Sequence, residues 1–418
     1  MDNLFHKSIQ IGLRSAKLRI YSTFLSSIQC NSLFLSAVEN ENHVDIIICG
    51  GGASGLLLAH GLTKDTAFDH LNILLFEKDS KTQNDRTWCF WEEGLSEWEE
   101  LIHHRWDSAS FKAPNYQRHF TLAPYHYKMI RGIDFYQTVY SRLEKAPNFT
   151  RIKAEVTGLI ANDNECLVKT DEGVFKAKKV FSSLPQDHFT KQKKYPVLQQ
   201  HFIGWFVKTE RPIFDPSTIV FMDFDLPQKK ETRFMYVLPF SANEALIEYT
   251  LFSKDLLEKE EYENAMIDYL NENGSGDYTI TEKEQGSIPM TAYDFSQHNN
   301  ASLMHIGTAG GWTKASTGFT FQKSQRKINA LIEHLKHDGN LTHFPQRSKF
   351  DFYDLLFLDV LAKYNAEGGK LFTRMFQRNA PQRIFSFLDE KTTFWEEAQL
   401  MISFPIGRFV SALVRRIF

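Results

Sequence analysis

Between Val44 and Lys78 the chain reads VDIIICGGGASGLLLAHGL and then, after a short polar interval, ILLFEK; no other stretch restricts the fold so much. The apolar run 46–49 has the length and β-branched content of a strand buried on both faces, as parallel strands are. It runs into Gly50, Gly52 and Gly55 in GxGxxG spacing. A tight turn at the first, close backbone approach to a pyrophosphate at the second and close helix-to-sheet packing at the third each call for glycine. Ala53 and Ser54 open the following helix. Its first amides lack intrahelical acceptors and sit at the positive end of the helix dipole, so an anionic diphosphate binds there. A second strand, 73–76, ends in Glu77, 22 residues after Gly55, where a carboxylate accepts both ribose hydroxyls of an adenosine. The same carboxylate repels a 2′-phosphate. The expected ligand of this βαβ unit is therefore FAD or NAD, not NADP.

With 418 residues the chain has material for two or more domains. A net charge of −3 argues against a nucleic-acid binder held by phosphate contacts. The 36 phenylalanines suit a large core and also a pocket for a long hydrocarbon. Cys30, Cys49, Cys89 and Cys166 show no pairing pattern or CxxC motif, so a reducing compartment with no disulfide and no metal is expected. No run approaches the ~20 apolar residues that span a bilayer, so any membrane contact is expected to be peripheral.

Residues 1–43 precede the unit. Their serines and basic residues would pass for a targeting peptide, and equally for a misplaced start or a loosely ordered extension. After Glu77, Arg86 stands beside Trp88, Phe90 and Trp91, where it can reach a nucleotide diphosphate or cover a flavin edge; an arginine stacked on a surface tryptophan is the plainer alternative. Residues 127–133 and 134–143 read as a strand leading into a helix, and 151–160, 165–170 and 174–181 as a three-stranded meander. Four strands follow between Phe202 and Phe252, then a helix over 256–271 and a strand through Gly286-Ser287-Ile288-Pro289. A returning strand at 304–307 leads to a loop carrying Gly307, Gly310, Gly311 and Gly318 before a helix over 322–336. Such a loop can offer amide donors to a flavin ring and its ribityl phosphate, or be an ordinary strand-to-helix connection.

The predicted fold is α/β, an α+β two-domain flavoprotein. A Rossmann-like FAD-binding domain with a parallel sheet and a β-meander is formed by 44–185 and 300–340, a mixed-sheet substrate domain by 186–299, and a helical C-terminal tail by 341–418. In that tail Ile406, Phe409, Val410, Leu413, Val414 and Ile417 form one apolar stripe, with Arg408, Arg415 and Arg416 outside it. Residues 370–418 carry eight Lys/Arg and four acids, a local charge of +4. A basic amphipathic end can lie on an anionic bilayer, although a helix packed on a core has the same stripe.

Several segments in order resemble the lycopene cyclase family of carotenoid-forming flavoproteins. They are the GGGASG turn, Arg86-Thr87-Trp88, His201 to Trp205, Phe221-Met222-Asp223, Phe234 to Ser241, Ile247-Glu248-Tyr249-Thr250, Gly286 to Pro289, and Gly307 through Phe321. The resemblance implies non-covalent FAD used in its reduced form, NAD(P)H as reductant, and the acyclic C40 polyene lycopene as substrate. It implies a redox-neutral isomerisation to β-carotene: protonation at C2 of a ψ end group, ring closure and proton loss from C6. It also implies a cytoplasmic, peripherally membrane-associated place, or a plastid one if residues 1–43 are a transit peptide, with other carotenoid enzymes as partners. A proton delivered to an alkene in an apolar site needs an acid whose pKa burial has raised. Glu248, in the otherwise apolar run ALIEYTLF, is the catalytic candidate. Trp205, Phe206 and Tyr236 are candidates for π density beside the resulting cation.

Two positions depart from the family's pattern. Tyr249 stands where a second acid often follows the glutamate, which puts in doubt a two-carboxylate mechanism through that position, and Lys314 to Thr317 lacks a proline often found there. Two other readings compete: a flavin monooxygenase or halogenase of similar architecture, and a lipid carrier that kept the fold and lost the chemistry.

Overall fold

The computed structural model describes residues 42–417. Residues 1–41, and with them nearly all of the extension that would pass for a targeting peptide, lie outside the described residues. The glycine unit folds as its spacing requires. Strand Asn42–Cys49 turns at Gly50, which takes φ +99°, into helix Ala53–Lys64, and the chain returns as strand Ile73–Phe76. A Cβ on Gly55 would collide with the Gly50 carbonyl oxygen, so glycine there lets the helix sit directly on the turn. Ile47, Ile48 and Cys49 are fully buried because Asn42–Cys49 has parallel neighbours on both sides, Ile73–Phe76 and Gly173–Ser182.

This first sheet has seven strands. Its order is Phe149–Ile152, Ile73–Phe76, Asn42–Cys49, Gly173–Ser182, Cys166–Thr170 and Val156–Ala161, with Leu303–His305 pairing alongside the end of Gly173–Ser182. The run 151–160, expected as a single meander strand, divides: Phe149–Ile152 forms one edge of the sheet and Val156–Ala161 the other. Alternation marks strand character but not the partner, so the break was invisible in the sequence.

The second sheet is mixed, in the order Tyr278–Met290, Leu198–Thr209, Glu244–Ser253, Thr232–Pro239, Thr218–Asp223, Ser108–Ala113 and Tyr116–Thr121. The last two strands come from the half of the chain assigned to the nucleotide domain. They reach the second sheet through a parallel pairing of Ser108–Ala113 with Thr218–Asp223, so the 186–299 boundary does not enclose the whole sheet. A small third sheet, Thr87–Glu93, Tyr125–Arg131 and Ile102–Trp106, joins the two halves.

Helix Lys259–Glu272 covers one face of the second sheet with Tyr262, Met266 and Leu270. The other face meets the C-terminal helices Lys349–Lys363, Gly368–Arg378, Pro381–Leu388, Phe394–Ser403 and Ile406–Ile417, largely through phenylalanines. Phe111 stacks on Phe376 with centroids 4.4 Å apart, and Phe224 on Phe372 at 5.7 Å. A buried ion network ties this tail to the late glycine loop. Lys314 Nζ lies 3.1 Å from Asp354 and 3.4 Å from Glu390, and Lys323 Nζ 2.8 Å from Glu390. Burial works to raise the Glu390 carboxyl, yet the two ammonium groups hold it down to about 2.

The final helix is not a core helix. Of its apolar stripe Phe409 and Leu413 are partly covered, whereas Ile406, Val410, Val414 and Ile417 are 55%, 49%, 48% and 63% exposed. Arg408 and Arg416 turn inward to Glu367 and Asp359. Among the described residues no helix is long and apolar enough to cross a membrane.

Candidate active site

One row across the second sheet organises the site. Glu284 on strand Tyr278–Met290 faces Gly204 on Leu198–Thr209; Gly204 in turn faces Glu248 on Glu244–Ser253, and Glu248 faces Tyr236 on Thr232–Pro239. Residues level with one another on adjacent strands point to the same side. Because Gly204 has no side chain, the two carboxyls meet over it. A Cβ at 204 would stand 3.0 Å from Glu248 Cγ and 3.1 Å from Glu284 Cγ.

The third sheet closes over this row. Thr87 Oγ1 donates to Glu284 Oε2 at 2.6 Å, and the Tyr127 and Tyr236 hydroxyls are 2.7 Å apart. Burial pushes Glu248 well above the usual carboxylate range, and Glu284 beside it pushes in the same direction. Burial also raises Glu284, while its bonds to Glu248 and Thr87 hold it back. Two carboxyls in contact in an apolar setting do not both ionise, so the pair holds a proton at neutral pH. Burial likewise raises the Tyr127 and Tyr236 phenols and the Cys89 thiol, and all three are neutral.

A continuous cavity of about 950 Å³ reaches this row. Its walls include Gly52, Ala53 and Ser54 of the glycine turn, Glu248, Glu284 and Tyr236, and Phe357, Phe376, Phe387, Leu400 and Phe404 from the C-terminal helices. Met401, Ile402, Ile406 and Val410 both line the cavity and are exposed to solvent, so the mouth opens among the final two helices.

The turn fits a dinucleotide. No atom lies within 4 Å of where a Cβ on Gly52 would be, and the helix it caps has no side-chain cap and no acid in its first turn. Its first amides are therefore free for an anion. Glu77 is fixed at the strand end, accepting the Gly51 amide at 2.6 Å and the Asp79 amide at 2.8 Å. Arg86 is exposed on the cavity wall. Gly307, at φ +62°, packs its α-carbon against Ser54, and Gly318 lines the cavity against Gln200. Gly310 and Gly311 shape the late loop from behind, the first against the His305 carbonyl and the second against Phe295. Gln200 Oε1, Ser316 Oγ and Thr317 Oγ1, on residues that line the cavity, are buried without a partner among the described residues, as expected where a polar ring system docks.

The structure parts from the sequence reading at two of the three aromatic candidates, Trp205 and Phe206. Trp205 does not reach the cavity: its neighbour Gly204 faces that way, so strand alternation turns Trp205 to the opposite side, against Tyr278 and under Lys283. Phe206 returns to the cavity side but is stacked on Phe240 and lies outside the cavity lining. Tyr236 is the one of the three that lines it. Tyr249 also faces away, its hydroxyl accepting from Arg233 at 3.3 Å, so an acid at that position would meet Arg233 rather than Glu248. The second carboxyl comes instead from Glu284, which the sequence reading missed. Strand register alone reveals it: Glu284, two residues before Gly286, faces Gly204 on the neighbouring strand.

A parallel sheet with a glycine turn, a meander and a mixed sheet roofing a shared cavity defines the two-domain flavoprotein fold. The chain is similar to a geranylgeranyl bacteriochlorophyll reductase-like protein from Thermoplasma acidophilum, with TM-score 0.56 and 11% identity, covering 89% of this chain and 99% of that one. It is also similar to a halogenase, with TM-score 0.56 and 13% identity over 83% of this chain and 82% of that one. Within this class the chain belongs to the lycopene cyclase family: the model of the family described as "Lycopene cyclase protein" matches residues 45–414. Relatives include a lycopene beta-cyclase of Pseudescherichia vulneris, 25% identical over 264 residues, 59% of this chain and 62% of that protein. Another is a lycopene beta-cyclase of Pantoea ananas, 25% identical over 258 residues, 60% of this chain and 63% of that protein. The matches thus span a little under two thirds of these relatives' lengths.

Proposed function

We propose that the protein cyclises the ψ end groups of lycopene to β-ionone rings, giving β-carotene, with FAD held at the glycine turn and NAD(P)H keeping it reduced. The observation that carries this reading is Glu248: a carboxyl that burial and Glu284 hold toward its protonated form, on the wall of a cavity that many aromatic side chains line and that also reaches a dinucleotide turn. Glu248 gives its proton to C2 of the end group, the C5=C6 bond closes on the C1 cation, and the proton lost from C6 returns to the carboxyl pair. Atoms balance and no electron is transferred, so the reaction is an isomerisation. The Tyr127 and Tyr236 rings offer π density to the cation, and the apolar wall keeps out the water that would trap it as an alcohol. Bound in its reduced form, the flavin supplies negative charge that stabilises the same cation.

Chromatography of pigments from lycopene-accumulating cells expressing the protein tests the proposal. β-Carotene is the expected product. Unchanged lycopene with folded, FAD-loaded protein would sink the proposal, and an oxygenated or halogenated product would point to the monooxygenase or halogenase reading.

We further place the protein peripherally on a membrane, where so apolar a substrate resides, because the cavity mouth is ringed by exposed apolar side chains. Val410→Asp with Val414→Asp should weaken co-sedimentation with vesicles of phosphatidylcholine and phosphatidylglycerol on the order of tenfold. Melting temperature should hold, because both side chains are about half exposed in the folded protein. Unchanged vesicle binding would remove this helix from the membrane contact.

A further inference from the structure

We infer that Glu284 is a positioning residue which, fixed by Thr87 and brought against Glu248 over the bare backbone of Gly204, keeps the transferable proton on Glu248. The inference rests on the acid role given to Glu248 above. A shared proton between two carboxyls needs something to decide which of them carries it, and the two differ in their donors. Glu284 accepts the Thr87 hydroxyl at 2.6 Å, and a donor to a carboxylate favours its charged form. On the other side the Thr250 hydroxyl, two residues along the strand from Glu248, works to lower the Glu248 carboxyl, but its influence is smaller than those of burial and of Glu284, which raise it.

The charged groups around the pair point the same way. Arg86 draws Glu284 toward its anion. Glu282 opposes this, but it is engaged by Arg131 at 2.6 Å and by Asn84 at 2.7 Å. Cys89 and Tyr127, from the strands packed over Glu248, and Tyr236, on the strand beside it, are neutral. Glu284 is thus the anion and Glu248 the acid.

This arrangement does two things for the reaction. Before it, the Glu284 charge keeps Glu248 protonated at a pH where a lone carboxyl would have ionised. During it, the proton passes to C2 and leaves two carboxylates beside one carbocation, and the proton from C6 restores the starting pair. Glu284 need not touch the polyene; it acts through Glu248.

The test uses the purified FAD-loaded protein with lycopene in detergent, measuring rate against pH, together with infrared titration of the protonated-carboxyl C=O band. In the unmodified protein, turnover and band should persist at low pH and fall together as pH rises through the raised Glu248 pKa. Glu284→Gln removes the neighbouring charge and supplies an amide donor to Glu248. The falling limb and the band midpoint should both move down by about one pH unit or more. Thr87→Val keeps the side chain's shape, removes only the donor, and should add a second acid band as Glu284 begins to share the proton; it carries the test if the glutamine variant fails to fold.

A Glu284→Gln protein slowed by one factor at every pH, with its band midpoint in place, overturns the inference, as does a single unmoved band in Thr87→Val. Band shifts as expected in a protein that leaves lycopene unchanged would uphold the proton placement while removing the cyclisation reading.

Discussion

Glu248→Gln should give a folded, yellow protein that forms no β-carotene. The substitution keeps the side chain's length and branching, so the row over Gly204 stays filled, and the new amide can donate to Glu284 in place of the lost proton. Burial of a neutral amide beside a carboxylate costs little when the two are hydrogen-bonded. What disappears is the group of the row that is assigned the transferable proton. An amide is no Brønsted acid at any working pH, and loss of a general acid costs about 10²- to 10⁴-fold in rate. Flavin content should be unchanged, since Glu248 stands on the second sheet and the glycine turn on the first. Pigment chromatography beside the flavin absorption spectrum checks both halves. Persistent β-carotene formation would move the acid to another residue of the cavity, with Glu284 the first to examine.

How much of this was legible in the sequence depended on whether the signal was local. The glycine turn and Glu77 were readable because every part of the unit lies within a stretch of 35 residues and each answers its own steric or electrostatic demand. Glu248 was readable as an acid in an apolar strand. Trp205 was misread because aromaticity says nothing of facing; strand pairing decides that, and here it gives the cavity side to Gly204. Glu284 was missed for the complementary reason: in sequence it sits among the polar residues Glu282, Lys283 and Gln285, and only the register across Leu198–Thr209 makes it a neighbour of Glu248. The strands at 108–113 and 116–121 were not foreseen, and their stretch was counted with the nucleotide domain, because the pairing that recruits them to the second sheet is long-range and parallel. In the C-terminal tail the periodicity gave the helices, but exposure was needed to separate a stripe that packs from one that stays open.

Gly52→Asp should abolish flavin binding without harming the fold, and so separate two glycines that look equivalent in the motif. At Gly55 a Cβ would collide with the backbone carbonyl of Gly50, so any side chain there is a folding defect. At Gly52 nothing lies within 4 Å of the added carbon, and the backbone, at φ −79° and ψ −172°, is open to any residue. Position 52 is also the cap of helix Ala53–Lys64, where an aspartate side chain can accept a free first-turn amide and interact with the helix dipole, for about 0.3–1 kcal/mol of stabilisation. Apoprotein melting should therefore hold or rise slightly. The same carboxylate takes the amides and the space that the diphosphate requires and opposes it with like charge, so FAD affinity should fall by at least about 10²-fold, the equivalent of two or more lost charge-assisted hydrogen bonds. The protein should purify colourless and inactive, with a circular dichroism spectrum like that of unmodified protein stripped of flavin. A yellow Gly52→Asp protein with full flavin content would mean that the diphosphate lies elsewhere than on this turn. A colourless but unfolded one would mean that the open space beside Gly52 is occupied in solution by the protein itself.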